Sequence, residues 1–242
     1  MSHVKEAGAG VGASRSCADA SPVLLVGGSP ERSSAETLRK AAAGCCAVVA
    51  VDRGLDALLD AGLSCDLFCG DADSVSEAGA ELVRKAEAMA RAGEHAPFDV
   101  VRYNPHKDDT DLGLALSEAA ARYPGVLLRV TCLSGGNPDH ALAVLGRLAT
   151  WPYGVEWIED GFEGRILQAG MEWAITGAHG ARFSFVPLSA DGTEVSEEGM
   201  RWELDHARVP LLADLGISNV IETDPARIAC HAGTIACWLF RV

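Results

Sequence analysis

The chain has 242 residues, 48% of them hydrophobic, and carries 34 acidic side chains against 20 basic ones, for a formal charge of −14. That apolar content is ample for packed cores and excludes a disordered chain. The acidic balance excludes recognition of nucleic acid through a basic surface, which needs clustered Lys and Arg, so an anionic substrate would need local help such as a metal ion.

The opening MSHVKEAGAGVGASRSCADASP lacks a basic run leading into an apolar one, and lacks a stretch of about twenty apolar residues. Residues 1–20 therefore read as a Gly/Ala/Ser tail with no export signal and no membrane segment. The eight cysteines show no CxxC pair and no zinc-type spacing, and a reduced, cytoplasmic setting is the expectation. From Pro22 onward, short β-rich runs alternate with helical patterns. PVLLVGG (22–28) is a strand ending in glycines, and Ser33 with Glu36 three residues later forms a capping box for a helix reaching Ala43. CAVVAVD (46–52) is the next strand, followed by a short helix from Leu55 to Ala61 that stops at Gly62. DLFCGD (66–71) is a third strand, with an amphipathic helix from Ser76 to Arg91 behind it. FDVVRY (98–103) and VLLRVTCLSGG (126–136) are two more, separated by the helix TDLGLALSEAAARY and followed by DHALAVLGRLA. Near-continuous apolar strands alternating with helices predict a parallel sheet covered on both faces.

Past Trp151 the texture changes to short segments such as VEWIE, RILQAG, EWAIT, RFSFVPL, NVIET, RIACHAG and TIACWLF, punctuated by Gly, Asp and Pro. These predict an antiparallel β-sandwich. The expected organisation is a tail over 1–20, an α/β domain over 21–150 and a β-sandwich over 151–242, with the boundary near 150–154.

Ligands of open α/β sheets bind outside the carboxyl ends of the strands. Here those ends read Gly27-Gly28-Ser29, Asp52-Arg53-Gly54, Gly70-Asp71-Ala72-Asp73-Ser74, the run from Tyr103 through Lys107, Asp108, Asp109 and Thr110 to Asp111, and Ser134-Gly135-Gly136-Asn137-Pro138-Asp139-His140. Turns and helix caps account for any one of these loops, and Asp109 reads as a cap for the helix beginning at Thr110. Five on one rim exceed what turn chemistry requires, because convergent carboxylates repel unless a cation neutralises them or one takes up a proton. Asp71 and Asp73 are two apart, so in an extended segment both lean to one side and can share an ion. Hard oxygen donors without His or Cys suit magnesium, which keeps several waters and bridges to phosphates. Lys107 offers a point charge to a phosphate, and Gly27-Gly28 and Gly135-Gly136 allow close approach of backbone N–H groups. The chemistry suggested is metal-assisted phosphoryl-type transfer without a Walker A loop, since GxxxxGK[ST] is absent. His106, His140 and His179 have no visible partner and read as solvated or structural.

The ordered set GG, D-x-G, GDxDS, P-x-KDxTD-xx-LAL and SGG-xx-DH, from Val23 to Leu148, resembles the catalytic domain of thiamine pyrophosphokinases. Gly199-Met200-Arg201-Trp202-Glu203-Leu204 and Gly216-Ile217-Ser218-Asn219 resemble segments of that family's thiamine-binding sandwich. The resemblance implies a Rossmann-like catalytic domain followed by the sandwich, and transfer of the pyrophosphoryl group of ATP to thiamine, giving thiamine diphosphate and AMP. By matching position, Asp71, Asp73 and Asp111 would hold Mg2+, with Asp52 nearby and Ser74 supporting the loop. Gly28, Arg53, Gly70, Lys107, Asp108, Thr110, Gly136 and Asn137 would line the ATP site, and Asp139 would sit near the attacking hydroxyl. Trp202 would stack on the thiamine cation, which an indole face attracts, while Ser218 and Asn219 would hydrogen-bond its aminopyrimidine. A core role for Trp202 is the competing account. The family's sites form between two subunits, which implies a homodimer.

Two positions depart from the family pattern. Arg53 stands where a glycine is usual, and Asn137 where an arginine is usual, so Arg53 could replace the charge missing at 137. The alternatives are a pyrophosphokinase of hydroxymethyl-dihydropterin and a nucleotide-binding sensor that has lost catalysis. A dehydrogenase is disfavoured, because no GxGxxG follows the first strand.

Overall fold

The computed structural model describes residues 21–103 and 109–241. Six strands build its parallel part: β1 (Val23–Val26), β2 (Ala47–Val51), β3 (Leu67–Gly70), β4 (Asp99–Arg102), β5 (Leu128–Thr131) and β6 (Val155–Glu159). Between them lie α1 (Ala35–Ala42), α2 (Gly54–Asp60), α3 (Glu77–Arg91), α4 (Asp111–Arg122) and α5 (Pro138–Ala149). The unbroken apolar run of β1 follows from its position: Val23 and Leu25 enter a core with Ala115, Leu116 and Ala119 of α4 and Leu148 of α5. Leu24 and Val26 enter a second core with Leu38 of α1, Leu55 and Leu58 of α2 and Val83 of α3. A strand buried on both faces has no polar side to display.

The remaining strands are β7 (Phe162–Gln168), β8 (Met171–Ile175), β9 (Arg182–Pro187), β10 (Thr193–Glu198), β11 (Leu204–Val209), β12 (Asn219–Val220), β13 (Ala226–Ala232) and β14 (Thr234–Phe240). Among the described residues, one ten-stranded sheet runs β12-β9-β14-β7-β6-β5-β1-β2-β3-β4, and a four-stranded antiparallel sheet runs β11-β10-β13-β8. The small sheet packs on the antiparallel end of the large one through a third core, in which Phe183, Phe185, Ile235 and Leu239 meet Trp173, Val195 and Ile228. This is the expected sandwich, but it is not hydrogen-bonded separately from the α/β part. The segment VEWIE, assigned above to the sandwich half, is β6, paired parallel to β5 and antiparallel to β7. The crossover through α5 returns the chain parallel to β5, and only the tight turn after Glu159 reverses it.

Two caps lie one residue from where the sequence pattern places them. Ser34 caps α1, its hydroxyl accepting from the Thr37 N–H, whereas Ser33 donates to Glu159. Thr110 caps α4 by accepting from the Gly113 N–H, and Asp109 is freed for an ion pair with Arg147. With two polar residues side by side, either can cap; the long-range partner of the other decides.

Gly54 opens α2, and a Cβ there would fall on the Val26 carbonyl. Gly54→Ala is expected to destabilise the fold by about 1–3 kcal/mol, measured by chemical denaturation. Parent-like stability would show that α2 can start farther from β1.

Candidate functional site

The carboxyl ends of β1, β2, β3, β4 and β5 form one rim. At β2, the Asp52 backbone is left-handed, with φ 46; its N–H donates to the Cys69 carbonyl at 3.1 Å. Its carboxylate lies against Gly70, where any Cβ would fall on it, so a glycine ends β3 for a steric reason. The Tyr103 N–H donates to the Gly70 carbonyl at 3.3 Å, bringing in the end of β4. The Cys69 thiol is pushed up to about 11, chiefly by burial, with Asp52 among the nearby anions. Burial first, and then anions including Asp111, raise the Tyr103 phenol. Asp52, Gly70, Tyr103 and Asp111 thus belong to one neighbourhood.

The CGDADS loop differs from the extended form assumed for it. Ala72 is left-handed, with φ 61, and Asp71 Oδ1 accepts from the Asp73 N–H at 3.1 Å. The segment is therefore a turn, and strand alternation does not set the direction of its two carboxylates. Arg102 Nη1 donates to the Asp71 carbonyl at 2.5 Å and Nε to Glu87 at 2.8 Å, fixing the loop to α3. Asp73 is exposed, while Asp71, Ser74 and Asp111 are half-buried. Lys107, Asp108 and His106 lie outside the described residues.

At β5, Gly135 and Gly136 have φ 87 and 75, and the Gly136 N–H donates to Glu31 at 3.4 Å. Asn137 caps α5 by position, without a side-chain hydrogen bond, and Pro138 and Asp139 follow in the first turn. Gly136, Asn137, Asp139 and His140 are all exposed. Arg53 is exposed, with its backbone against Gly28. β1 lies between β2 and β5, so Arg53 and Asn137 stand in loops at the ends of two strands one place apart on the same rim.

Among the described residues, no group of three or more His, Cys, Asp or Glu side chains is placed to hold a metal ion by itself. The rim's donors are carboxylate oxygens, exposed at Asp73 and half-buried at Asp71 and Asp111, a set that fits an ion that keeps several waters and completes its shell with phosphate oxygens.

In the sandwich, Trp202 is 58% exposed, which removes the core account of this residue. The Arg201 guanidinium lies 5.7 Å from its ring centroid. Ser218 is exposed, with φ 62, and its N–H donates to Ser184 at 3.0 Å. Asn219 is only 2% exposed, and its amide is committed to the Trp202 backbone and to Glu197. It braces the Trp202 turn, which differs from the direct substrate contact expected for it.

Sequence reasoning missed several residues. Glu159, buried at the end of β6, accepts from the N–H groups of Cys132, Leu133 and Ser134 at 3.0, 2.9 and 3.1 Å. It also accepts from Trp157 Nε1 at 2.8 Å and from Ser33. Asp56, also buried, accepts from the Ser76 N–H at 2.8 Å and so steadies the start of α3. Arg147 pairs with Asp109 across α5 and α4. Each looks like an ordinary charge in the sequence, because its partners are remote along the chain.

A parallel α/β half with an acidic strand-end rim, fused through one sheet to a sandwich that displays a tryptophan, defines a two-part ligand-binding protein of the α/β-plus-β class. Residues 38–155 match the family model described as thiamin pyrophosphokinase, catalytic domain, and residues 174–235 the one described as thiamin pyrophosphokinase, vitamin B1 binding domain. The chain belongs to the thiamine pyrophosphokinase family. It is 29% identical to the thiamine pyrophosphokinase of Bacillus subtilis (strain 168) over 175 residues, 71% of this chain and 76% of that relative. The crystal structure of thiamine pyrophosphokinase from Bacillus subtilis is similar with a TM-score of 0.73 and 25% identity, covering 90% of this chain and 98% of that one. Yeast thiamin pyrophosphokinase shares the fold at 12% identity, with a TM-score of 0.67 over 94% of this chain and 89% of that one.

Removing the Glu159 carboxylate strands three backbone N–H groups, two of them buried. Glu159→Ala is expected to cost about 3–5 kcal/mol, measured by denaturation, with Glu159→Gln recovering part of it. A loss below about 1 kcal/mol would show that the 132–134 loop is held by other means.

Burial pushes the Glu197 carboxyl from 4.5 up to about 7, against a weaker opposing effect of its Asn219 hydrogen bond. A folded value above the unfolded one favours the neutral form in the fold. The stability this confers is full below 4.5 and is lost as pH rises through about 7. The melting temperature of Glu197→Gln should therefore gain on the parent between pH 5 and pH 8; a pH-independent difference would contradict this.

Proposed function

We infer that the protein transfers the pyrophosphoryl group of ATP to the hydroxyl of thiamine, giving thiamine diphosphate and AMP. The observation that carries this is the presence, in one chain and in order, of the catalytic and vitamin B1 binding regions of one family. Their separate features suit the two reactants: an acidic strand-end rim for a metal–triphosphate and an exposed indole for a cation. The thiamine hydroxyl oxygen forms a bond to the β-phosphorus, and the bond from that phosphorus to the oxygen bridging it to the α-phosphorus breaks, releasing AMP. The reaction needs mainly positioning and charge neutralisation.

In this reading Asp71, Asp73 and Asp111 hold Mg2+, with Asp52 beside them; the ion, when bound, neutralises charge on the transferring phosphates. Gly28, Arg53, Gly70, Ser74, Thr110, Gly136 and Asn137 line the ATP site, together with Lys107 and Asp108. Asp139, exposed in the first turn of α5, accepts or orients the hydroxyl proton. Trp202 and Ser218 receive thiamine, and Asn219 acts through the backbone of Trp202. The proposed assembly is a homodimer with sites shared between subunits. Trp202, Leu211, Leu212, Leu215 and Ile217 support it, all exposed in the β10–β11 and β11–β12 connections, since apolar patches of this kind mark interaction sites. No helix among the described residues is long and apolar enough to cross a membrane, and the cytoplasm is the proposed location.

Incubation with ATP, Mg2+ and thiamine should yield AMP and thiamine diphosphate. Product with the pterin alcohol alone would overturn the assignment, and nucleotide binding without AMP from either would favour a sensor. Asp73→Asn should lower turnover by well over tenfold with the fold intact, as loss of a charged contact to the reacting groups requires; near-normal turnover would remove it from the metal site. Trp202→Ala should raise the KM for thiamine about tenfold without changing the melting temperature, because the ring is exposed. Arg53→Ala should weaken apparent ATP affinity by about tenfold, the worth of one charge-assisted contact; unchanged affinity would show that Arg53 does not compensate for Asn137.

A further inference from the structure

Glu197 is 1% exposed in β10, opposite Leu204 of β11 and Ile228 of β13. Its Oε2 accepts from Asn219 Nδ2 at 3.3 Å, while its Oε1 is buried with no hydrogen-bond partner. A neighbouring titratable group is the Cys237 thiol. Cys237 of β14 is raised first by its own burial and then by Glu197 and Cys230, with Arg165 opposing. A carboxylate in such surroundings is expensive to keep, and among the described residues no ion pair accounts for it.

Its one contact explains what it does. The Asn219 amide grips the Trp202 backbone twice: Oδ1 accepts from the Trp202 N–H at 3.2 Å, and Nδ2 donates to the Trp202 carbonyl at 2.8 Å. Turned end over end, the same amide would set oxygen against oxygen and lose both bonds. Glu197 accepts the second hydrogen of Nδ2, and an acceptor there permits only the gripping orientation. The turn is closed from the other side by Glu203, which accepts from the Gly199 N–H at 2.7 Å.

We propose that Glu197 is a positioning residue for thiamine, acting through the Asn219 amide on the backbone of Trp202 and thus on the place of its indole. This rests on the reading that Trp202 stacks on thiamine. Glu197 touches neither reactant, so its removal should alter thiamine binding and leave the chemistry and the ATP site alone.

The test compares parent, Glu197→Leu, Glu197→Gln and Asn219→Asp by steady-state kinetics and by amide hydrogen exchange of residues 199–203. Glu197→Leu is expected to raise the KM for thiamine about tenfold, with kcat and the KM for ATP within about twofold, and to speed exchange at the turn. Gln, which keeps an acceptor, should restore parent values. Asn219→Asp, which lacks the donor, should behave like Leu and guards against a folding defect peculiar to position 197. Unchanged exchange in Glu197→Leu, or equal losses in kcat and both KM values, overturns the proposal. Faster exchange with an unchanged thiamine KM, when Trp202→Ala also leaves that KM unchanged, overturns the stacking reading and the proposal with it. The same exchange result with a raised KM in Trp202→Ala overturns the proposal alone.

Discussion

One buried carboxylate ties the end of the parallel sheet to the loop that leaves β5 and to the approach to α1. Glu159 ends β6, the strand at which the parallel sheet gives way to the antiparallel one, and it gathers three consecutive backbone N–H groups, an indole N–H and a serine hydroxyl. Those donors come from the β5–α5 loop, from β6 itself and from the approach to α1. An unpaired carboxylate at this depth would be costly, and five donors turn that cost into geometric precision. The left-handed backbone of Cys132, with φ 55, is held beneath it, so the loop from Ser134 to Asn137 leaves the sheet along a fixed path.

The same device recurs around the rim with different residues. Asp52 and Ala72, at the ends of β2 and β3, are non-glycine residues at positive φ, a conformation that costs on the order of 1 kcal/mol or more and persists only where the surroundings insist on it. Asp52 is held by Cys69 and Gly70, and Ala72 by the Asp71–Asp73 turn and by Arg102. Ser218 shows the same backbone strain beside the Trp202 turn. Such backbone is thus found both at the strand-end rim and beside the Trp202 turn.

Much of this was legible in the residues. Apolar runs such as VLLV and AVVAV had to be doubly covered strands, and glycine and aspartate after each strand had to mark one rim. The errors are equally specific. Ser33 and Asp109 were assigned caps that belong to Ser34 and Thr110, because local spacing cannot tell which of two neighbours has a distant partner. Strand alternation would set Asp71 and Asp73 on one side, whereas a left-handed Ala72 and a side-chain-to-backbone hydrogen bond make the segment a turn. Asn219, which the resemblance links to substrate, is buried and bonded to the Trp202 backbone, a bracing that residue type alone does not reveal.

By itself the sequence determined the α/β-then-β order, the acidic rim and the family to which those motifs belong, because these follow from short-range periodicity and from residue types at fixed spacing. Only the tertiary structure decided that one sheet spans both halves, that Trp202 faces outward, and that Glu159, Asp56 and Glu197 are buried structural carboxyl groups. Their roles come from contacts across 126 positions in one case and from burial in all three, and neither is encoded in the neighbours along the chain.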